Sequence, residues 1–80
     1  IYPYFLSITM PDVPGQMLKL TQIMTDIDAS FSQITQTEAY GMAHVVIITH
    51  GMNENQLQEF KNRVKDDLTI KLGAAYKVLK

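Results

Sequence analysis

Residues 43–50 read AHVVIITH and form the clearest strand pattern in this 80-residue sequence. Four β-branched residues in a row, at positions 45–48, make both faces of that strand apolar. A strand of this kind lies in the centre of a sheet and is covered on both sides. The fold is therefore decided by the elements that can be placed around residues 43–50.

A strand, a turn and a helix are predicted at the start of the chain. Residues 4–10 (YFLSITM) alternate, which is typical of a half-buried strand with Leu6, Ile8 and Met10 on one side. A turn follows at residues 11–15, and Pro14 is expected in the first turn of the helix after it. The apolar face of that helix is predicted from spacings of three and four residues: Met17, Leu20, Met24 and Ile27.

The remaining elements complete a regular alternation. Residues 31–38 (FSQITQTE) read as a strand, and Tyr40-Gly41 reads as a hairpin turn before residues 43–50. Asn53 is expected to begin a second helix, with Gln56 three residues on as a capping-box partner. The apolar stripe of that helix is predicted at Leu57, Phe60, Val64 and Leu68. The last strand lies in residues 70–72 or 75–79, with Gly73 as a bulge or turn.

The element order β-α-β-β-α-β predicts a ferredoxin-like α/β (α+β) sandwich. Right-handed crossovers put both helices on one face of a four-stranded antiparallel sheet. The predicted core is Leu6, Ile8, Met10, Leu20, Met24, Ile27, Leu57, Phe60 and Val64. Two helices cover only one face, so the apolar residues on the other face need a second copy, another domain or a ligand.

Composition excludes several classes of function. A net charge of −1 argues against a nucleic-acid or anionic-membrane partner. The absence of cysteine rules out disulfides, thiolate nucleophiles and thiolate metal sites. No metal-ligand spacing, no Gly-x-Ser-x-Gly setting and no Gly-x-Gly-x-x-Gly motif occurs, so we expect no catalysis and no cofactor in these 80 residues.

The turn after the first strand is the most chemically specific stretch. Backbone N–H groups of Gly15, Gln16 and Met17 have no partner within the predicted helix and, with its dipole, suit an anion. Asp12 in the same turn suits an ammonium group. A loop that offers one partner for an anion and one for an ammonium group fits a free amino acid. A plain strand-to-helix turn can have the same residues.

The segment YFLSITMPDVPG (residues 4–15) resembles the opening of an ACT domain, whose hallmark is the Asp-x-Pro-Gly turn. Residues 20–24 (LTQIM) and 43–50 are similar to the ACT domain at the C-terminus of homoserine dehydrogenase, and the resemblance covers essentially all 80 residues. It implies one regulatory domain, residues 1–80, excised from the C-terminus of a larger enzyme. The effector-binding residues that it implies are Asp12, Val13, Pro14, Gly15, Gln16, Met17 and Asp28.

The resemblance also implies the partners and the setting. A homodimer would form by ACT–ACT pairing, sheet to sheet or side by side, with the effector between the turn and Asp28 against a neighbouring subunit. The parent would be a cytoplasmic oxidoreductase that reduces aspartate semialdehyde with NAD(P)H in an upstream domain. The effector would act in feedback control of the threonine and methionine branch, and threonine is favoured.

One position departs from the resembled pattern. Many ACT domains have Asn-Ile after the first helix, whereas this chain has Asp28-Ala29. An acidic side chain suits an ammonium group but repels a carboxylate. Two alternatives therefore stay open: a structural dimerisation module with no ligand, and an ACT domain of another amino-acid-related protein.

Overall fold

The computed structural model describes residues 2–78, which form the predicted β-α-β-β-α-β order. The antiparallel sheet has the strand order β2-β3-β1-β4, so β1 and β3 are central and the ferredoxin-like prediction is confirmed. The elements are β1 Tyr4–Pro11, α1 Gln16–Asp26, β2 Phe31–Ala39, β3 Met42–Thr49, α2 Glu54–Asp66 and β4 Lys71–Lys77.

A single apolar core lies between the sheet and the two helices. Alternate residues of β1 and β3 point into it, and α1 and α2 both contribute side chains to the same cluster. Of the predicted core residues, all are buried except Leu57, which is half-buried at the margin. The core also contains Tyr4, Ile23, Ala43, Val45, Ile47, Met52 and Ile70.

The other side of the sheet carries no helix, and we call it the open face. Phe5 and Ser7 of β1 and Val46 and Ile48 of β3 point there and are half-buried by their neighbours alone. The apolar residues left without a cover are therefore Phe5, Val46 and Ile48, while Val45 and Ile47 face the helices.

The two helices begin differently. Asn53 Oδ1 accepts from the Gln56 N–H at 2.8 Å and the Asn53 N–H donates to Gln56 Oε1 at 3.0 Å, so the predicted capping box of α2 is confirmed. α1 has Gly15 at its N-cap, with φ +89° and no side-chain cap. Pro14 precedes this residue, so the prediction that Pro14 lies in the first helical turn is wrong; the left-handed glycine redirects the chain after it.

α1 ends in a Schellman motif. The Ala29 N–H donates to the Met24 carbonyl at 2.9 Å and the Asp28 N–H to the Thr25 carbonyl at 3.0 Å. Asp28 has φ +58°, the left-handed conformation that this motif requires. The break predicted at Asp28-Ala29 is therefore a specific backbone structure.

Two predictions near the end of the chain need correction. α2 ends at Asp66, and Leu68 is 91% exposed, so Leu68 does not extend the apolar stripe. Asp67 Oδ1 accepts from the Thr69 N–H at 2.9 Å, an Asx turn that stops the helix. β4 is one strand, Lys71–Lys77, and not either of the two shorter segments that were predicted. Its pairing with β1 shifts register at Gly73, which is the predicted bulge, and Leu79 lies outside the described residues.

Tyr40 and Gly41 form the hairpin turn between β2 and β3, as predicted. Their φ values of +54° and +77° are both positive, which is the condition for a type I′ turn. Within residues 2–78, neither helix has the length and apolarity needed to cross a bilayer.

Candidate functional site

The β1–α1 turn rests against the β2–β3 hairpin. The Asp12 N–H donates to the Gly41 carbonyl at 2.9 Å, which fixes the turn to the hairpin tip. The Gln16 N–H donates to the Val13 carbonyl at 3.3 Å, and the Gly15 carbonyl accepts from the Lys19 N–H at 3.1 Å as α1 begins. The turn is therefore held at both of its ends.

Of the three backbone N–H groups predicted to bind an anion, two remain available to a ligand. In the described part of the chain, the N–H groups of Gly15 and Met17 donate to no backbone carbonyl. No atom lies within 4 Å of the position that a Gly15 Cβ would occupy, so the approach to these donors is open. Gln16, the third predicted donor, uses its N–H inside the turn.

An acidic pair borders the same turn. Glu38, near the end of β2, lies beside Asp12, and hydrogen bonding to Asp12 together with the negative charge of Asp12 raises the pKa of Glu38. Glu38 was missed because the register of β2 was not readable from the sequence. Only the strand pairing shows that Glu38 lies near the end of β1, because Glu38 and Met10 are both opposite Ala43 of β3.

The side chain of Gln16 connects the start of α1 to the loop after α2. It is buried, and its Nε2 donates to Thr69 Oγ1 at 2.9 Å in the loop after α2. Thr69 Oγ1 in turn donates to Asp67 Oδ1 at 2.6 Å, and Lys19 Nζ lies 3.7 Å from Asp67 Oδ2. The Thr69 hydroxyl, the Thr69 N–H and Lys19 lower the pKa of Asp67. This network ties the start of α1 to the α2–β4 loop.

The structure places six of the seven predicted site residues together and leaves one apart. Val13 and Pro14 are exposed on the turn, and Met17 is half-buried beside it. Asp28 lies at the opposite end of α1, about 16 Å away along an 11-residue helix. Its carbonyl accepts from Gln56 Nε2 at 3.1 Å. One chain by itself does not join Asp28 to the turn.

Sequence comparison finds a curated relative of this chain. No protein-family model matches the chain. It is 39% identical over 77 residues to the homoserine dehydrogenase of Lactococcus lactis subsp. lactis strain IL1403, an alignment that covers 95% of this chain.

Solved structures agree with the sequence match. A homoserine dehydrogenase from Thiobacillus denitrificans superposes with a TM-score of 0.76 over 96% of this chain and 17% of its own, at 17% identity. The ACT domain from the GTP pyrophosphokinase of Chlorobium tepidum superposes with a TM-score of 0.71 over 96% of this chain and 97% of its own, at 12% identity. The chain is an ACT domain like that of homoserine dehydrogenase.

This ACT domain spans only a small part of the enzymes that it resembles. It covers 18% of the length of the Lactococcus lactis relative. Among residues 2–78, no three His, Cys, Asp or Glu side chains are grouped as metal ligands would be. What the ACT domain does present is a solvent-facing turn in which the free N–H groups of Gly15 and Met17 lie near the carboxyl groups of Asp12 and Glu38.

Proposed function

We propose that this ACT domain is the amino-acid-binding regulatory domain of a homoserine dehydrogenase and that threonine is its effector. The observation that carries the proposal is the β1–α1 turn, in which free N–H groups and carboxylates lie side by side. The relationship to homoserine dehydrogenase supports it. Threonine is favoured because an enzyme at the head of the threonine and methionine branch is a natural point of end-product inhibition.

The chemistry of the parent belongs to other domains. The parent in this proposal is a cytoplasmic, NAD(P)-dependent oxidoreductase of which residues 1–80 are the C-terminal regulatory part. These residues contain no Gly-x-Gly-x-x-Gly loop and do not fit a nicotinamide cofactor. We therefore assign hydride transfer to the remainder of the parent and effector binding to the ACT domain.

A zwitterion fits the turn in one orientation. Its carboxylate is placed on the N–H groups of Gly15 and Met17, where the dipole of α1 favours negative charge. Its ammonium group is placed against Asp12, with Glu38 beside it. Because protonation removes the charge of Glu38, affinity is expected to fall as the pH drops through the raised pKa of that carboxyl.

A second copy brings Asp28 to the turn in the proposed dimer. β2 is an edge strand, and Ile34 on its helix side is partly exposed. Met17 and Thr21 lie on the flank of α1 away from the groove between α1 and α2, and both are half-buried. Side-by-side pairing of two β2 edges about a two-fold axis sets two α1 helices antiparallel. The end of one α1, with Asp28, then lies beside the start of the other.

Calorimetric titration tests the effector directly. Threonine, methionine and isoleucine are titrated separately into the folded chain, and threonine is expected to bind at millimolar concentration or below. Gly15→Val places a branched side chain in the carboxylate position and is expected to weaken binding by about 1–3 kcal/mol. Asn55→Val is the control, because Asn55 is an exposed residue of α2 outside the turn and the hairpin.

Mixing two variants tests whether the site is shared between copies. Gly15→Val and Asp28→Lys are each expected to lose binding. In a mixed dimer one site combines both substitutions and the other is intact, so an equal mixture recovers about a quarter of the wild-type sites. Asp66→Lys, an exposed carboxylate outside the site, controls for charge.

The results separate the candidate functions. Recovery in the mixture establishes a shared site, whereas loss of binding in Gly15→Val alone assigns the site to the turn without Asp28. If none of the three amino acids binds to a folded dimer, the structural dimerisation module replaces the regulatory domain.

A further inference from the structure

The β3–α2 turn is the counterpart of the β1–α1 turn at the other end of the sheet. The chain consists of two β-α-β halves, β1-α1-β2 and β3-α2-β4. Because β1 and β3 are the antiparallel central strands, the turns that lead from them into α1 and α2 lie at opposite ends of the sheet. Each half thus presents one helix N-terminus, and each N-terminus carries the positive end of a helix dipole.

A cavity of about 270 Å³ lies at the start of α2. The residues that line it are Tyr2, Tyr4, Met52, Asn53, Glu54 and Lys77. Its walls are fixed by backbone pairing: the N–H groups of Tyr2 and Met52 each donate to the carbonyl of the other, at 3.0 and 2.8 Å. Tyr4 is opposite Lys77 in the sheet. The volume lies below the roughly 300–1,000 Å³ of pockets that hold drug-sized molecules, so the cavity fits a smaller ligand.

The hydroxyl group of Tyr4 opens into this cavity. Tyr4 is 3% exposed, and its ring belongs to the core. Among residues 2–78, the only hydrogen bond between Tyr4 and a side chain uses its backbone N–H, which donates to Thr49 Oγ1 at 3.0 Å. Every fully buried polar side-chain atom of these residues has a partner. The unpaired hydroxyl is therefore the part of Tyr4 that reaches the cavity, and it is a donor that a ligand can use.

Two further donors lie at the same cavity. The capping box uses the N–H groups of Asn53 and Gln56, but the N–H of Glu54, the first residue of α2, has no acceptor among residues 2–78. Lys77 Nζ lies 4.6 Å from the centroid of the Tyr2 ring, and no carboxylate in the described part of the chain forms an ion pair with it. A hydroxyl, a free N–H at a helix N-terminus and an ammonium group are together the partners of an anion.

The charges at the cavity select the kind of anion. Lys77 contributes one positive charge, and the exposed carboxylate of Glu54 contributes one negative charge at the rim. A second negative charge on the ligand, as in phosphate or a dicarboxylate, is repelled by Glu54, whereas a single carboxylate matches Lys77. Met52 and the ring of Tyr2 are the apolar part of the lining and suit a short carbon chain.

We propose that the cavity at the β3–α2 turn binds the carboxylate group of a small monocarboxylic acid. The Tyr4 hydroxyl, the Glu54 N–H and Lys77 Nζ hold the carboxylate, and the carbon chain lies against Met52 and Tyr2. This carboxylate site shares no residue with the effector site proposed at the β1–α1 turn, and it does not rest on that proposal.

NMR titration with propionate tests the carboxylate site, because backbone amide resonances report each residue separately. Propionate is a monocarboxylate with a short apolar chain. The Glu54 N–H resonance is expected to shift and to saturate at roughly millimolar propionate, since a ligand of this size has few atoms with which to bind. Inorganic phosphate is the comparison and is expected to bind more weakly at Glu54.

Two variants remove one donor each. Tyr4→Phe keeps the buried ring and removes the hydroxyl, while Lys77→Gln removes the ammonium charge. Each is expected to weaken propionate binding by about tenfold or more, because each removes a hydrogen bond to a charged group. Tyr76→Phe and Lys71→Gln are the matched controls, since they make the same changes in β4 outside the cavity. Lys77 is exposed, so Lys77→Gln remains informative if Tyr4→Phe does not fold.

Two titrations in Gly15→Val distinguish the sources of the carboxylate. Gly15→Val removes the effector site proposed at the β1–α1 turn, so the Glu54 resonance reports the cavity alone. Threonine and β-hydroxybutyrate differ only in the α-amino group. Tighter binding of threonine, lost in Glu54→Gln, identifies a free amino acid whose ammonium group meets the Glu54 carboxylate. Equal or tighter binding of β-hydroxybutyrate identifies a simple organic acid.

The outcomes separate the carboxylate site from the proposed effector site. A saturable shift at Glu54 that Lys77→Gln and Tyr4→Phe weaken supports the carboxylate site even if threonine does not bind at the β1–α1 turn. A shift that does not saturate, or that Lys77→Gln and Lys71→Gln reduce equally, is a general ion effect and overturns the site. Tighter binding of phosphate than of propionate at Glu54 rejects a monocarboxylate as the ligand.

Discussion

Asp28 holds a backbone conformation that its side chain does not favour. Its φ of +58° lies at the left-handed position of the Schellman motif that ends α1. Glycine adopts this conformation without steric cost, and asparagine adopts it more readily than most other residues. The acidic residue thus occupies a position where local stability favours another.

Asp28→Gly is therefore expected to raise the free energy of unfolding by about 0.5–1 kcal/mol, and Asp28→Asn by less. Asp28→Ala keeps the Cβ and gives no gain. Urea unfolding at neutral pH measures all three. A loss of stability in Asp28→Gly would show that the carboxylate makes a contact worth more than the backbone cost.

Asp67 makes stability depend on pH. It accepts from both the N–H and the hydroxyl of Thr69, and its pKa is lowered, so the stability that it contributes is present above its usual pKa. That contribution is lost as the pH falls through the lowered folded-state pKa. Asp67→Ala is expected to cost about 1–2 kcal/mol at neutral pH and progressively less in acid. Melting curves against pH, with Asp66→Ala as the control, check this expectation.

At the scale of elements, Gln56 joins the start of α2 to the end of α1. Its Oε1 completes the capping box, while its Nε2 donates to the carbonyls of Ile27 and Asp28 at 3.2 and 3.1 Å. One side chain thus satisfies backbone groups in two helices that are far apart in the sequence.

Gln56→Glu separates the two functions of this side chain. The carboxylate keeps the acceptor for the Asn53 N–H but has no donor for Ile27 and Asp28, so we expect a loss of about 1–2 kcal/mol. Gln58→Glu, an exposed position in the same helix, is expected to change stability by less than about 0.5 kcal/mol. Equal effects in chemical denaturation would mean that the link between the helices contributes nothing.

At the scale of the whole molecule, the two faces of the sheet differ in how much they contribute to the stability of the single chain. Phe60 is fully buried in the core, whereas Phe5 is half-buried on the open face. Phe60→Ala is expected to cost about 3–5 kcal/mol, a large share of the roughly 4–12 kcal/mol expected for 80 residues.

Phe5→Ala is the comparison. It is expected to cost clearly less than Phe60→Ala in dilute solution and to lose more stability relative to wild type as protein concentration rises. Thermal melts over a range of concentrations measure both variants. A cost that is equal for the two and independent of concentration would place Phe5 in the core of the single chain.

The sequence predicted the parts of the fold that local pattern determines. Alternation in residues 4–10 gave β1, the β-branched run gave β3, and Asn53 with Gln56 gave the start of α2. Leu68 was misplaced because the apolar period continues past the Asx turn at Asp67, and a hydrogen bond to the backbone is invisible to periodicity.

The candidate site was only partly predictable. The turn at residues 11–15 is local and was found, whereas Glu38 depends on the register of β2. That strand has one central aliphatic residue, Ile34, and a register shift between Phe31 and Gln33, so its pattern does not fix its pairing. Asp28 was grouped with the turn by resemblance, and its distance from the turn follows only from the course of α1.

Gly73 has a consequence for how surfaces of this protein change in evolution. Ala74 is paired with Ser7 and Leu72 with Ile8, so Gly73 is an extra residue without a partner on β1. The alternation of side chains between the two faces of the sheet is interrupted at this residue. Deleting Gly73 would remove the extra residue and restore simple alternation from Lys71 onward, with Ala74 still opposite Ser7 and Tyr76 still opposite Phe5. The loss of this one codon would therefore leave both the strand pairing and the stacked rings of Phe5 and Tyr76 in place.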